Sequence, residues 1–110
     1  EGFHLGAFVE ERLCSIATFF PETFAENGPG GYRLRGMATH PDFAGHGLGR
    51  EMINFAIHEL LAVNASYIWC NARSSAVGFY EKLGFCICSE EFEIPGVGMH
   101  FNMILQINKP

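Results

Sequence analysis

Gly45, Gly47 and Gly49 alternate with His46 and Leu48 and lead, through Arg50, into the periodic apolar run 51–61. Upstream, Met37-Ala-Thr-His-Pro41 carries the end of an alternating segment into a proline bend. A glycine-rich entry into a helix leaves backbone N–H groups without intrahelical partners, and the helix dipole adds partial positive charge at the same point. Anions bind there, phosphates best of all. The stretch Met37 to Arg50 therefore reads as a strand end, a turn and a helix start that hold a phosphorylated ligand. The cysteines Cys14, Cys70, Cys86 and Cys88 include no C-x-x-C pair and lie in apolar, strand-like surroundings, so they read as buried free thiols of a reducing compartment. Cys70 lies near the glycine site, but no base that would activate it is evident. No His or Cys pair has ligand spacing with a third partner, and no metal is expected.

Composition narrows the classes. A chain of 110 residues, 48% hydrophobic and 14% aromatic, fits one domain, 1–110, around one core. No apolar run approaches the roughly 18–20 residues of a membrane span. No secretory leader is visible, so a cytoplasmic protein without a membrane partner is expected. The net charge of −5 opposes a nucleic-acid partner, which would meet a basic surface. The charge is uneven: Arg33, Arg35, Arg50, Arg73 and Lys82 crowd the middle, and Glu90, Glu91 and Glu93 cluster late. A basic centre on an acidic chain fits a small anionic ligand.

The elements that must position these residues follow from pattern. Phe3–Val9 and Leu13–Phe20 read as a hairpin around the charged turn Glu10-Glu-Arg12. The stretch 21–31, with two Pro and an Asn-Gly, reads as a connecting loop. Gly31–Thr39 reads as a strand. Leu48, Met52, Phe55, Ala56 and Leu60 recur on one face of a helix, widened by Ile53, Ile57 and Leu61, with Asn64 as its stop. The continuously apolar Tyr67–Cys70 reads as a strand buried on both faces, with Asn71-Ala-Arg73 at its end. Ser74 or Ser75 caps a second helix, Ala76–Leu83, which Gly84 ends. Phe85–Ser89 and Met99–Ile107 complete the strands, with a turn at 93–98. The order is β-β-β-α-β-α-β-β, an α/β (α+β) mixed sheet flanked by helices.

Two common glycine motifs are excluded. A dinucleotide fingerprint needs glycine where Arg50 stands. A nucleoside-triphosphate loop needs Lys-Ser/Thr, which is missing. In context, the strand end at Met37-Ala-Thr39, the run Gly47-Leu-Gly49, the amphipathic helix, the buried strand and then Phe79-Tyr-Glu-Lys-Leu-Gly-Phe85 together resemble the GCN5-related N-acetyltransferase (GNAT) superfamily. The resemblance covers about Leu5 to Ile107 and implies the acyl-CoA N-acyltransferase fold, a mixed and mostly antiparallel sheet. The late Ile94–His100 segment and Asn71-Ala-Arg73 look like one small branch. Family members usually begin with a strand and one or two helices ahead of the first hairpin seen here; the chain is expected to be a fragment or a reduced domain.

The resemblance also implies roles. Met37, Ala38 and Thr39 would pair through their backbone with the pantetheine arm of acetyl-CoA, one N–H polarising the thioester carbonyl. Ala44, Gly45, His46, Gly47, Leu48, Gly49 and Arg50 would wrap the pyrophosphate. Tyr80 would protonate the departing thiolate, and Phe79 would wall the cofactor. By helical spacing alone Tyr80 reads as core; the resemblance reverses that. Ala44 stands where the family usually has Arg or Gln, and Arg73 where it has Asn, so Arg73 is a candidate for cofactor phosphates or an acidic acceptor. For the base, His100 on the last strand is preferred to His40, and Asn71 is a substrate candidate. The reading is an N-acetyltransferase acting on a primary amine of a small molecule or protein by direct attack. The alternative is a non-catalytic acyl-CoA sensor or scaffold. Exposed sheet edges permit a homodimer.

Overall fold

The structure, a computed structural model, describes residues 2–43, 45 and 47–108. Its seven strands are β1 (Phe3–Val9), β2 (Arg12–Pro21), β3 (Gly31–Thr39), β4 (Tyr67–Arg73), β5 (Cys86–Ile87), β6 (Phe92–Ile94) and β7 (Gly98–Gln106). Its helices are α1 (Leu48–Ala62) and α2 (Val77–Lys82), with single 3-10 turns at Ala25–Asn27, Pro41–Phe43 and Ser74–Ala76. They form one sheet in the order β1-β2-β3-β4-β7-β5, with β6 also on β7. Only β3 and β4 run parallel. The expected mixed, mostly antiparallel sheet is thus the observed one. It gains one strand, because Phe92–Ile94 pairs with β7 across the turn that Pro95 and Gly96 suggested. Three residues are too short to show a period.

Alternation sorts the two faces. Phe19, Leu34, Ile68, Cys70 and Met103 point to one face and form the core with Met52, Ile53, Ala56 and Leu60 of α1. Burying a side chain of this size contributes about 1.5–3 kcal/mol. Phe55 and Leu61, expected on the apolar stripe, are exposed. They lie at the margin of a sector that the sheet covers only over its centre. Asn64 ends α1 in the left-handed region, φ 61°, and the Ala65 N–H reaches back to Leu60 O at 3.0 Å. Glu10 and Glu11, at φ 50° and 70°, make the tight turn between β1 and β2.

The opposite face is covered differently. Phe24, in the loop after β2, packs at a tilt against Trp69 with ring centres 5.0 Å apart. The Tyr67 hydroxyl donates to Gly28 O at 2.6 Å and accepts from the Phe24 N–H at 2.9 Å, and Trp69 Nε1 donates to Glu22 O at 2.8 Å. The loop is a structural strap, in keeping with its reading as a connection.

The expectation of four buried thiols holds for Cys14 and Cys70 and fails for Cys86 and Cys88, which are exposed. Strand β5, which holds Cys86 and ends one residue before Cys88, pairs over two residues at the margin of the sheet.

Candidate active site

Strand β3 builds the site. Toward β2 it is paired along its length, from Tyr32 opposite Pro21 to Thr39 opposite Ser15. Between Ile16 and Thr18 the register shifts, so Ala17 faces two residues of β3, Gly36 and Met37. Gly36 has φ 65°, which a glycine takes without strain, and the bulge bends the strand. Toward β4 the pairing covers Gly31 to Arg33 and stops. Beyond Arg33 and Trp69 the two strands part, and a cavity of about 590 Å³ opens between them. The His40 N–H donates to Cys14 O at 2.7 Å. By the alternation of an antiparallel ladder Ala38 also faces β2 and the N–H of Thr39 faces away from it, while the bulge interrupts the alternation at Met37. Ser15, buried beneath this strand end, donates to Ala38 O at 3.0 Å and pairs with Thr39 Oγ1 at 2.8 Å.

A second cavity of about 340 Å³ lies at the start of α1, lined by Thr39, Gly45, Gly47, Gly49, Arg50 and Lys82 among others, with no acidic residue. Gly47 caps the helix at φ 79°, with no side-chain cap among the described residues. The Glu51 N–H to Gly47 O bond, 3.0 Å, is the one that ties the cap to the helix. The preceding turn of N–H groups is the part a helix leaves free. A Cβ on Gly47 would meet nothing within 4 Å, so its backbone angle and the open space before it are what require glycine. Gly49 differs: a Cβ there would come to 2.8 Å from the Phe79 ring and 3.3 Å from Met37, so glycine lets α1 approach α2 and β3. Arg50 donates to Lys82 O at 2.7 Å, tying the two helices together. Ala44 and His46, expected in this cradle, lie outside the described residues.

Tyr80 lines the larger cavity, while its neighbour Phe79 lines the smaller. Edge-on contacts with Phe79 and Phe85, at 5.2 and 5.5 Å, hold its ring. Among the described residues its hydroxyl has no hydrogen-bond partner. Burial, and to a lesser degree the Cys70 thiol, push its pKa up to about 12. Cys70 is itself pushed up to about 12, chiefly by burial and also by Cys88, against a lowering by Arg33. A thiol so held is no nucleophile.

The larger cavity gathers several sequence candidates. Met37, Asn71, Arg73 and His100 line it with Tyr80. His100 faces Arg73 across the β4–β7 ladder and is 4% exposed. Its Nδ1 lies 2.8 Å from Gly98 O. A carbonyl only accepts, so Nδ1 carries the proton and Nε2 of the neutral ring is left as an acceptor. Asn71 is engaged through its side chain by Asn102, at 2.6 Å. His40 belongs elsewhere: its Nδ1 accepts from the Asp42 N–H at 3.1 Å, and it is not among the residues that line this cavity. Sequence reasoning did not assign Arg33, Arg35, Ile94 and Val97 to the site, all of which line the cavity. The arginines were legible in part, since alternation puts them opposite Leu34; Ile94 and Val97 arrive through the unexpected strand β6.

Comparison with known proteins agrees with this geometry. The profile of the Acetyltransferase (GNAT) family matches residues 1–85. The uncharacterized N-acetyltransferase YitI of Bacillus subtilis (strain 168) is 41% identical over 102 residues, 92% of this chain and 68% of that protein. The fold superposes on an aminoglycoside 6'-N-acetyltransferase complexed with coenzyme A, with TM-score 0.83, 14% identity and coverage of 100% of this chain and 75% of that one. It also superposes on the ribosomal-protein-S18-alanine N-acetyltransferase of Escherichia coli, with TM-score 0.77, 21% identity and coverage of 99% and 71%. With the family profile spanning most of its length and a relative this similar, the chain belongs to the GNAT acetyltransferase family.

Proposed function

We propose that this protein is an N-acyltransferase that moves an acetyl group from acetyl-CoA to a primary amine of a small molecule or protein by direct attack. One observation carries the reading: β3 and β4 part to open a cavity lined by Tyr80, whose hydroxyl has no partner among the described residues, and a glycine-capped helix start lines a second cavity. The smaller cavity fits the phosphate end of a coenzyme A. It offers a helix start, Arg50 and Lys82, with Gly47 in its lining. Acetyl-CoA supplies the acetyl group as an activated thioester. The N–H groups of Met37 and Thr39 are the candidate donors for the thioester carbonyl, and Ala38 between them pairs with Ile16 of β2. His100 Nε2, directly or through water, takes the proton that the amine loses as its nitrogen bonds to the acetyl carbon. Tyr80 gives its proton to the sulfur as the carbon–sulfur bond breaks. The phenol is protonated at neutral pH, as a donor requires, and burial moves its pKa further up. The products are the N-acetylated amine and the free thiol of coenzyme A.

The test is calorimetric titration with acetyl-CoA, followed by thiol release over a panel of amines. The reading expects binding and release. Binding without release from any amine would instead support an acyl-CoA sensor or scaffold. No binding would sink both.

A further inference from the structure

We propose that the acceptor carries a carboxylate or similar anionic group a few bonds from its reactive amine, and that Arg35 and Arg73 receive it. This rests on the transfer reading above and names the substrate class of the same site. The observation is one of charge. The chain holds 12 acidic residues against seven basic ones, yet the larger cavity is lined by Arg33, Arg35, Arg73 and His100 and by no carboxylate. Arg33 is already engaged: it lies over the Trp69 ring at 5.2 Å and pairs with Glu22 at 3.5 Å. Arg35 rests at 5.8 Å over the Phe20 ring. Among the described residues neither Arg35 nor Arg73 meets a carboxylate.

The late acidic cluster does not fill the gap. Glu91 accepts a hydrogen bond from Ser74 at 2.6 Å. Glu93 alternates with Ile94 along β6, so with Ile94 lining the cavity Glu93 points away from it. Nor do the cofactor phosphates require these arginines. Their cavity has its own Arg50, Lys82 and helix start, and it shares no lining residue with the larger one. Two guanidiniums at a solvated cavity mouth match a planar anion in geometry and charge. They also disfavour a second ammonium on the acceptor, and they favour the neutral, attacking form of the amine.

Three acceptors of one length separate the possibilities: β-alanine, β-alaninamide and 1,3-diaminopropane, followed by thiol release from acetyl-CoA. Expected is a kcat/KM about tenfold higher for the carboxylate than for the amide, with the diamine lowest, as one charge pair at a partly solvated site gives. Arg73→Gln and Arg35→Gln should each shrink the carboxylate-to-amide ratio several-fold, mainly through KM. An amide or diamine used as well as β-alanine overturns the proposal and leaves the transferase reading standing. A second measurement does not need turnover. N-acetyl-β-alanine and N-acetyl-β-alaninamide are titrated by calorimetry into the protein, with and without coenzyme A. Tighter binding of the acid, weakened in Arg73→Gln, supports the anionic site even if no amine releases thiol, in which case only the transferase reading fails. Equal binding of the two overturns the anionic site.

Discussion

The two ends of the β3–β4 seam are built from opposite materials. At the closed end the strands pair over Gly31 to Arg33, and Gly30 O accepts the Ser66 N–H at 2.7 Å. Tyr67 and Trp69 bond every polar atom they have there to the strap that crosses them. At the open end, four residues further along each strand, the polar groups are left over. Among the described residues the Tyr80 hydroxyl has no hydrogen-bond partner, and Arg35 and Arg73 meet no carboxylate. A parallel pair that stayed in register would close the cavity, and the bulge at Gly36 is what bends β3 away. Near-saturated hydrogen bonding, broken among the described residues by the buried Nε of Arg33, marks the end that holds the fold together. Donors without partners mark the end of the proposed site.

The sharpest way to break this contrast is at the open end. Tyr80→Phe should lower thiol release by about 10²-fold or more, as loss of a general acid does, with acetyl-CoA still bound. Release at the wild-type rate would remove Tyr80 from the chemistry while leaving the transferase reading intact. The mirror experiment is at the closed end. A Cβ on Gly31 would lie 2.5 Å from the Tyr67 ring, which three hydrogen bonds hold in place. Gly31→Ala should cost about 2 kcal/mol in urea denaturation by overpacking, and leave the affinity for acetyl-CoA of the folded protein unchanged. If it were neutral, the strap would be less rigid than its bonding indicates. Gly47→Ala joins the two themes. It should cost about 1 kcal/mol through its left-handed backbone and weaken acetyl-CoA binding several-fold, read by calorimetry.

Alkaline pH separates the ends more gently. Tyr80 and Cys70 both ionise at about 12 in the fold, against 10.0 and 9.0 ordinarily. Between the ordinary and the folded values the unfolded chain has lost protons that the native one keeps. Stability contributed by each group is therefore complete below its ordinary pKa and is lost as pH rises toward 12. The denaturation free energy should fall from about pH 9 upward, by at most about 1.4 kcal/mol per pH unit for each group. Tyr80→Phe should flatten the upper part of that fall, and an unchanged slope would discount the burial of the phenol. Smallest of all in energy, a thiol reagent should label Cys86 and Cys88 rapidly and Cys14 and Cys70 only on unfolding.

Much of the molecule was legible in residue order. Strand β3 was placed from Gly31 to Thr39, and α1 ended where Asn64 predicted, because each has a strong local signal: alternation in one, a wide apolar stripe and a left-handed stop in the other. The glycine run before α1 was legible for the same reason. Strand β6 was hidden, since three residues beside a Pro-Gly turn carry no period of their own. Phe55 was misplaced because helical spacing gives a direction and not the width of the sheet below it. The two exposed cysteines were misplaced because an apolar neighbourhood in sequence does not say which strands lie at the sheet's edge.

By itself, then, the sequence determined the elements, the glycine-capped helix start and the family motifs, all set by contacts between residues near one another in the chain. The tertiary structure alone decided where β3 and β4 part, that the Tyr80 hydroxyl has no partner among the described residues, and that Arg35 and Arg73 share a cavity with His100 of a strand far along the chain. Those facts depend on which strands become neighbours and where a bulge separates them. Such pairings join residues tens of positions apart, and no local pattern records them.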